Sequence, residues 1–236
     1  MKILITGSSG FIGFHLAKLL LENKHKVHGY DSMNNYYDIK LKKTRLNILK
    51  KYKNFSFTKA TLENEKNLKK TFKKFRPKVV VHLAAQAGVR YSIDKPRVYL
   101  SSNIIGTFNI IETSHIFNVK HLIMASSSSV YGANKNVPFK EIDKTETQLS
   151  IYAATKKANE SMAHSYSNIW KIPITMLRFF TVYGPWGRPD MALFKFTKGI
   201  LNNKKIDIYN NGKMYRDFTY IDDIVKGIQL LLYKIP

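Results

Sequence analysis

Residues 2–13 read KILITGSSGFIG: a short β-prone run ends in glycines spaced GxxGxxG, and a helix with apolar positions at Phe11, Leu16, Leu19 and Leu20 follows at once. A strand, a glycine turn and a helix in that order constrain the fold more than any other feature of the chain. Gly7 permits the tight turn, Gly10 lets backbone approach a pyrophosphate, and Gly13 lets the helix pack close to the strand. Phe11 and Ile12 open the helix, whose N-terminus offers free N–H groups and a partial positive charge to phosphates. Asp31 closes the next strand, 24 residues after Gly7, where a carboxylate can accept from both ribose hydroxyls of a dinucleotide. An aspartate there, with no arginine beside it in sequence, favours NAD over NADP.

The same alternation continues along the chain. Strands are expected at residues 2–6, 26–30, 55–57, 78–83, 121–125 and 174–180. Helices are expected at 11–23, 41–51, 68–75, 98–117 and 151–169. Strand and helix in regular alternation mean a parallel sheet covered on both faces, an α/β doubly wound Rossmann arrangement. After Phe180 the glycine, proline and short-strand content rises. We therefore expect a dinucleotide-binding domain over 1–180 and an incomplete, smaller substrate region over 181–236, with 219–236 packing back on the first domain.

The chain has 236 residues, no cysteine, and 39 Lys+Arg against 16 Asp+Glu, a formal charge of +23. Without cysteine there is no disulfide framework, thiolate metal site or cysteine nucleophile, and no metal site is expected. No run of about 18 apolar residues occurs, so no membrane partner is expected. The apolar run after Lys2 is too short to be a signal peptide, and a cytoplasmic protein is the expectation. Between Lys40 and Lys78 there are 15 Lys/Arg and only Glu63 and Glu65 as acids. Lys66, Lys70 and Lys74 repeat opposite Leu68, Phe72 and Phe75, an amphipathic helix with a basic solvent face. Few arginines or aromatics interleave with these lysines as base readout would need, so nucleic acid is not the expected partner.

Tyr152 and Lys156 stand four apart at the start of a helix, one turn from each other on one face. Tyrosine titrates near pH 10, and a nearby ammonium favours the phenolate. Lys156 can also hold a cofactor ribose. Upstream, the strand at 121–125 runs into the four serines 126–129 and Val130-Tyr131-Gly132. Hydroxyls at the carboxyl end of a parallel strand lie where open α/β sheets bind ligands.

The blocks TGSSGFIG (6–13), HLAAQAGVRYS (82–92), SSSSVYG (126–132), YAATKKANE (152–160), RFFTVYGPWGRPDMALFKFT (178–197) and RDFTYIDDI (216–224) resemble the extended short-chain dehydrogenase/reductase family, and within it the NAD-dependent nucleotide-sugar epimerases of the UDP-glucuronate 4-epimerase type. The resemblance implies reversible oxidation at C4 of a UDP-sugar by tightly held NAD, with hydride leaving one face of the ring and returning to the other. It makes Tyr152 the base, Lys156 its tuning cation, and Ser127 the hydrogen-bond partner of the C4 oxygen, with Ser128 and Ser129 beside the sugar. It places Leu62, Leu83, Ala84, Ala85, Asn103 and Phe179 around the cofactor. Arg90, Thr181 and Arg216 are placed toward substrate, Arg216 on the diphosphate, and Arg188 on the uronate carboxylate. It also implies a homodimer through a four-helix interface built from 98–117 and 151–169.

Two positions depart from the pattern. Thr61 and Asn64 stand where the family carries aspartates near the adenine, leaving that contact to the Leu62 backbone. The chain stops at Pro236, whereas family members continue through most of a substrate domain; a pocket cut there would admit water and lose binding energy. The alternatives on the same scaffold are UDP-glucose 4-epimerase and a related dehydratase or decarboxylase. A 4,6-dehydratase would want an acid pair where Ser128 and Ser129 stand. The non-catalytic alternative is a dinucleotide-binding fragment with a polyanion-binding basic face.

Overall fold

The structure is a computed structural model and describes residues 1–213 and 215–236. Six parallel strands form the main sheet, in the order β3-β2-β1-β4-β5-β6. They are β1 (Lys2–Thr6), β2 (Lys26–Asp31), β3 (Phe55–Lys59), β4 (Val79–His82), β5 (His121–Ala125) and β6 (Ile174–Leu177). The helices are α1 (Phe11–Glu22), α2 (Ile39–Leu49), α3 (Glu65–Phe75), the short α4 (Tyr91–Asp94) and α5 (Pro96–Tyr99), then α6 (Gly106–Ile116), α7 (Ile151–Trp170), α8 (Ala192–Leu201) and α9 (Ile221–Leu231). Strand order reverses between β1 and β4, so a crevice opens there beyond the carboxyl ends of the strands.

Side chains of β1 alternate between two apolar layers, as a buried parallel strand requires. Ile3 and Ile5 join Phe14, Leu16 and Leu20 of α1 and Ile221, Val225 and Ile228 of α9. Leu4 joins Val80, Leu122, Phe72 and Ile110 on the other face. Two further strands, β7 (Thr181–Tyr183) and β8 (Phe218–Tyr220), pair in parallel as a separate small sheet. Among the described residues no helix is long and apolar enough to cross a membrane.

Three of the differences from expectation have a local reason. α3 begins at Glu65, three residues early, because the Asn64 side chain accepts from the Asn67 N–H and caps it. Leu68, Thr71 and Phe72 are buried, while Lys66, Lys70, Lys73 and Lys74 face outward. The helix expected over 98–117 is interrupted by a π-helical turn, Leu100–Ile105. At that widened turn Asn103 is fully buried; its Oδ1 accepts from Gln86 N–H at 2.8 Å and its Nδ2 donates to Gln86 C=O at 3.1 Å. The last strand ends at Leu177 rather than Phe180, because the chain bends there. Arg178 forks onto Glu160, Nε to Oε1 and Nη2 to Oε2, both at 3.0 Å, and the Phe179 carbonyl is spent on Ser128 N–H.

Two buried histidines tie the sheet together in their neutral form. His82 lies between Thr6 Oγ1 at 2.7 Å and Thr107 Oγ1 at 3.0 Å, and burial pushes its pKa down to about 3. His28 spans Ser56 and Thr58, with its pKa pushed down to about 4 by burial and then by Lys74. Below pH 6.5 the unfolded chain binds protons at both rings and the folded chain does not, so stability falls as pH drops toward 4. Each site contributes up to about 1.4 kcal/mol per pH unit of that window. Thermal melts from pH 7 to 5 are expected to show the loss, and replacing both rings by asparagine is expected to flatten it; an unchanged slope would contradict these assignments.

Candidate active site

The crevice at the strand reversal is a cleft of about 1530 Å³. One end is the glycine turn. Gly7 has φ +73°, and a Cβ there would lie 2.8 Å from Ala84 N. A Cβ on Gly13 would lie 2.1 Å from the Gly7 carbonyl oxygen. Strand end, turn and helix thus touch backbone to backbone, which no side chain would permit. Gly10 is the N-cap of α1; no side chain caps it and no acid sits in the first turn. The helix end therefore keeps its positive character for an anion. Gly7, Gly10, Phe11, Ile12 and Gly13 all line the cleft.

Asp31 also lines the cleft, at the end of β2. Its Oδ2 accepts from Ser9 N–H at 3.0 Å and its Oδ1 from Met33 N–H at 2.8 Å. A carboxylate offers about four acceptor positions, so two remain for ribose hydroxyls. Leu62, Leu83, Ala84, Ala85 and Phe179 form walls of the same cleft. At the adenine end, Thr61 and Leu62 are held by their carbonyls: Tyr30 Oη donates to Thr61 O at 3.0 Å, and Asn109 Nδ2 to Leu62 O at 2.9 Å. Backbone-built walls, a glycine cradle and an acceptor at the ribose position fit a nicotinamide dinucleotide.

At the other end, α7 starts under a Ser150 cap, whose Oγ accepts from Ala153 N–H at 3.1 Å. That start brings Tyr152 and Lys156 to the cleft wall together with Ser127, Ser128 and Ser129. Ser127 Oγ donates to Ser129 Oγ at 3.1 Å and accepts from the Ser129 N–H. Lys156 is 3% exposed, and its Nζ donates to the Ala125 carbonyl at 2.7 Å. Burial brings its pKa down to about 8.

Burial raises the Tyr152 phenol, and the groups opposing that rise are the neighbouring Ser127 hydroxyl and the Arg188 charge. Lys156 lines the same cleft one helical turn from Tyr152, its ammonium anchored on the strand-end carbonyl. Arg188 lines the cleft, but it is already paired. Its Nε donates to Asp190 Oδ1 at 3.0 Å and its Nη2 to Asp190 Oδ2 at 2.5 Å. Tyr36 Oη donates to the same Oδ2 at 3.2 Å.

Thr181 and Arg216 also line the cleft, Arg216 from an exposed position. Two expected contact residues do not. Arg90 is exposed at the start of α4, next to the lining residue Val89. Asn103 stands behind the wall, donating to Thr155 Oγ1 at 3.2 Å and bracing Gln86; it positions lining residues rather than lining the cleft. The sequence reading passed over Tyr36, Lys42, Arg45 and Asp190. Lys42 lines the cleft and, through burial first, has a lowered pKa, with Asp31 opposing. For Asp190 a signal was present, since it stands two residues after Arg188 in the GRPDMA block. The others come from a loop and helix with no motif of their own.

A doubly wound parallel sheet, a glycine cradle with a ribose acceptor, and a tyrosine, lysine and serines at the far end define a dinucleotide-dependent enzyme of the short-chain dehydrogenase type. More narrowly, residues 3–235 match the NAD dependent epimerase/dehydratase family, and the chain belongs to that family. It is 60% identical to protein CapI of Staphylococcus aureus over 99% of this chain and 70% of that one. It is 51% identical to the probable UDP-glucuronate 4-epimerase of Rhizobium meliloti over all of this chain and 69% of that one. The crystal structure of UDP-glucuronic acid 4-epimerase from Bacillus cereus in complex with UDP-glucuronic acid and NAD matches with a TM-score of 0.93 and 38% identity, over 99% of this chain and 73% of that one.

Gly13→Ala is expected to lower NAD retention at least tenfold, with about 1–3 kcal/mol of overpacking strain. NAD released on denaturing the purified protein measures it; full retention would contradict the cradle.

Proposed function

We propose that this chain interconverts UDP-glucuronate and UDP-galacturonate through transient oxidation at C4 of the sugar. The observation that carries the reading is convergence: the Tyr152 phenol, the Ser127 hydroxyl and the Arg188 guanidinium line one cleft whose other end holds the glycine turn and Asp31. The relatives named as UDP-glucuronate 4-epimerases support the substrate.

NAD, when bound, supplies the hydride acceptor and returns the hydride to the opposite face of the ring. The chain supplies the proton chemistry. Tyr152 Oη takes the C4 hydroxyl proton and later gives it back. Ser127 holds the C4 oxygen, and Ser128 and Ser129 bound the sugar. Lys156, fixed on the Ala125 carbonyl, keeps two N–H donors for the ribose. Burial raises the phenol, and Ser127 and Arg188 offset only part of that rise; the positive charges of Lys156 and of the oxidised cofactor would favour the phenolate further. Thr181 and Arg216 meet the diphosphate. Arg188 meets the uronate carboxylate, sharing its five donors with Asp190. One observation favours a second reading, UDP-glucose as substrate: paired with Asp190, Arg188 presents a wall of no net charge, which accepts a neutral hydroxymethyl group.

We infer in addition a homodimer through the two long helices. Ile105, Phe108 and Ile116 lie on the exposed stripe of the π turn and α6, and Ile169 and Trp170 are exposed at the end of α7, more apolar surface than a solvated helix pair carries. The UDP-sugar and a second copy of the chain are the partners of this reading.

Tyr152→Phe is expected to lower kcat by about 10²–10⁴ while NAD stays bound; near-normal turnover would refute the base assignment. Arg188→Ala is expected to cost at least tenfold more on UDP-glucuronate than on UDP-glucose in steady-state assays, and equal losses would remove the carboxylate role. Phe108→Lys is expected to give a monomer by light scattering, and an unchanged oligomer would place the interface elsewhere.

A further inference from the structure

Arg45 is the largest side chain that is fully buried, at 0% exposure. Among the described residues no carboxylate ion-pairs with it. Its charge is met instead by neutral oxygens. Nη1 donates to the Ser9 carbonyl at 3.0 Å and to Tyr37 Oη at 2.8 Å. Nη2 donates to the carbonyls of Trp186 and, at 3.2 Å, Gly187. Nε is buried without a partner. A buried cation lacking an acid is costly to keep, so a replacement by an apolar residue of similar volume would be tolerated if only packing were at stake.

The acceptors belong to two distant segments. Ser9 lies in the glycine turn, and its own N–H is fixed by Asp31. Both of its backbone groups are therefore spent, and its peptide is oriented from two sides. Trp186 and Gly187 immediately precede Arg188. The helix after the glycine turn holds the same loop twice more. His15 Nε2 lies 2.9 Å from the Pro185 carbonyl, and the Phe14 and Trp186 rings meet edge to face at 5.9 Å. Trp186 itself is at φ +57°, a left-handed conformation that a bulky residue adopts only where its surroundings over-determine it.

We propose that Arg45 is a positioning residue that locks the glycine turn to the 185–188 loop, so that seating of the dinucleotide phosphates and placement of the Arg188 guanidinium are coupled. The lock follows from geometry alone; its consequence for carboxylate selection rests on the reading of Arg188 given above. A planar guanidinium can span both carbonyl sets at once, whereas a lysine ammonium at the same depth can serve one. Coupling of this kind is reciprocal: what steadies the turn steadies the loop.

Two measurements test it. Hydrogen exchange of the wild-type protein, with NAD bound and with NAD removed, reads the lock without any variant. The amides of 184–191 are expected to exchange at least tenfold faster on removal, together with those of the turn; protection unchanged in 184–191 while the turn loosens would overturn the proposal. In Arg45→Lys and Arg45→Met, NAD retention and the ratio of UDP-glucuronate to UDP-glucose affinity are expected to fall together, the ratio at least tenfold. A lower Tm with that ratio and NAD retention unchanged would mean a structural role only and would overturn it. Should the variants fail to fold, exchange in the wild type decides. Should the wild type show no glucuronate preference, the substrate reading fails while the exchange result still judges the lock.

Discussion

The backbone crossing at Gly7 and Gly13 is the constraint on which the rest of the structure depends. The turn lies 2.8 Å, at the missing Cβ, from the strand β4 exit, and the helix start lies still closer to the Gly7 carbonyl. That contact sets where α1 leaves the sheet, and with it the uncapped helix end and the Asp31–Ser9 bond. It also sets how α1 meets α9 in the larger apolar layer. A side chain at either glycine would move a helix, and a moved helix would open the phosphate end of the cleft.

From that fixed end the cleft runs along the carboxyl edge of the sheet to the start of α7. Lys156 and Ser127 are both nearly inaccessible. Low polarity raises the phenol and lowers the ammonium, so each charged form there needs a partner within reach. Arg188, delivered from a loop beyond the sheet, is a cation whose charge opposes that rise at the phenol. Asp190, itself bonded by Tyr36, sets the position of that guanidinium.

Much of this was legible in the sequence because the signals were local. Glycine spacing, a strand-end aspartate, a serine run after an apolar strand and a tyrosine–lysine turn all lie within short windows, and the fold brings them to one cleft. What escaped was made by long-range contact. Arg45 carries no motif, and its acceptors lie 36 and 142 residues away along the chain. The Arg188–Asp190 pair was not foreseen, because residues two apart in a loop have no spacing rule that brings their side chains together. The π turn at Leu100–Ile105 looked like plain helix, since Asn103 widens it only by bonding to Gln86, a residue on another strand's exit. Arg90 sits within a block that resembles the family yet is carried to the surface by α4.

The central claim is that hydrogen leaves and returns to one carbon of the sugar inside this cleft, with Tyr152 moving the proton. Incubating the NAD-loaded protein with UDP-glucuronate deuterated at C4 tests this most directly. The account requires UDP-galacturonate that keeps the deuterium at C4 and, in the converse experiment with ordinary substrate in deuterated water, gains none at any carbon. Label lost to solvent, or solvent deuterium appearing at C5, would contradict it.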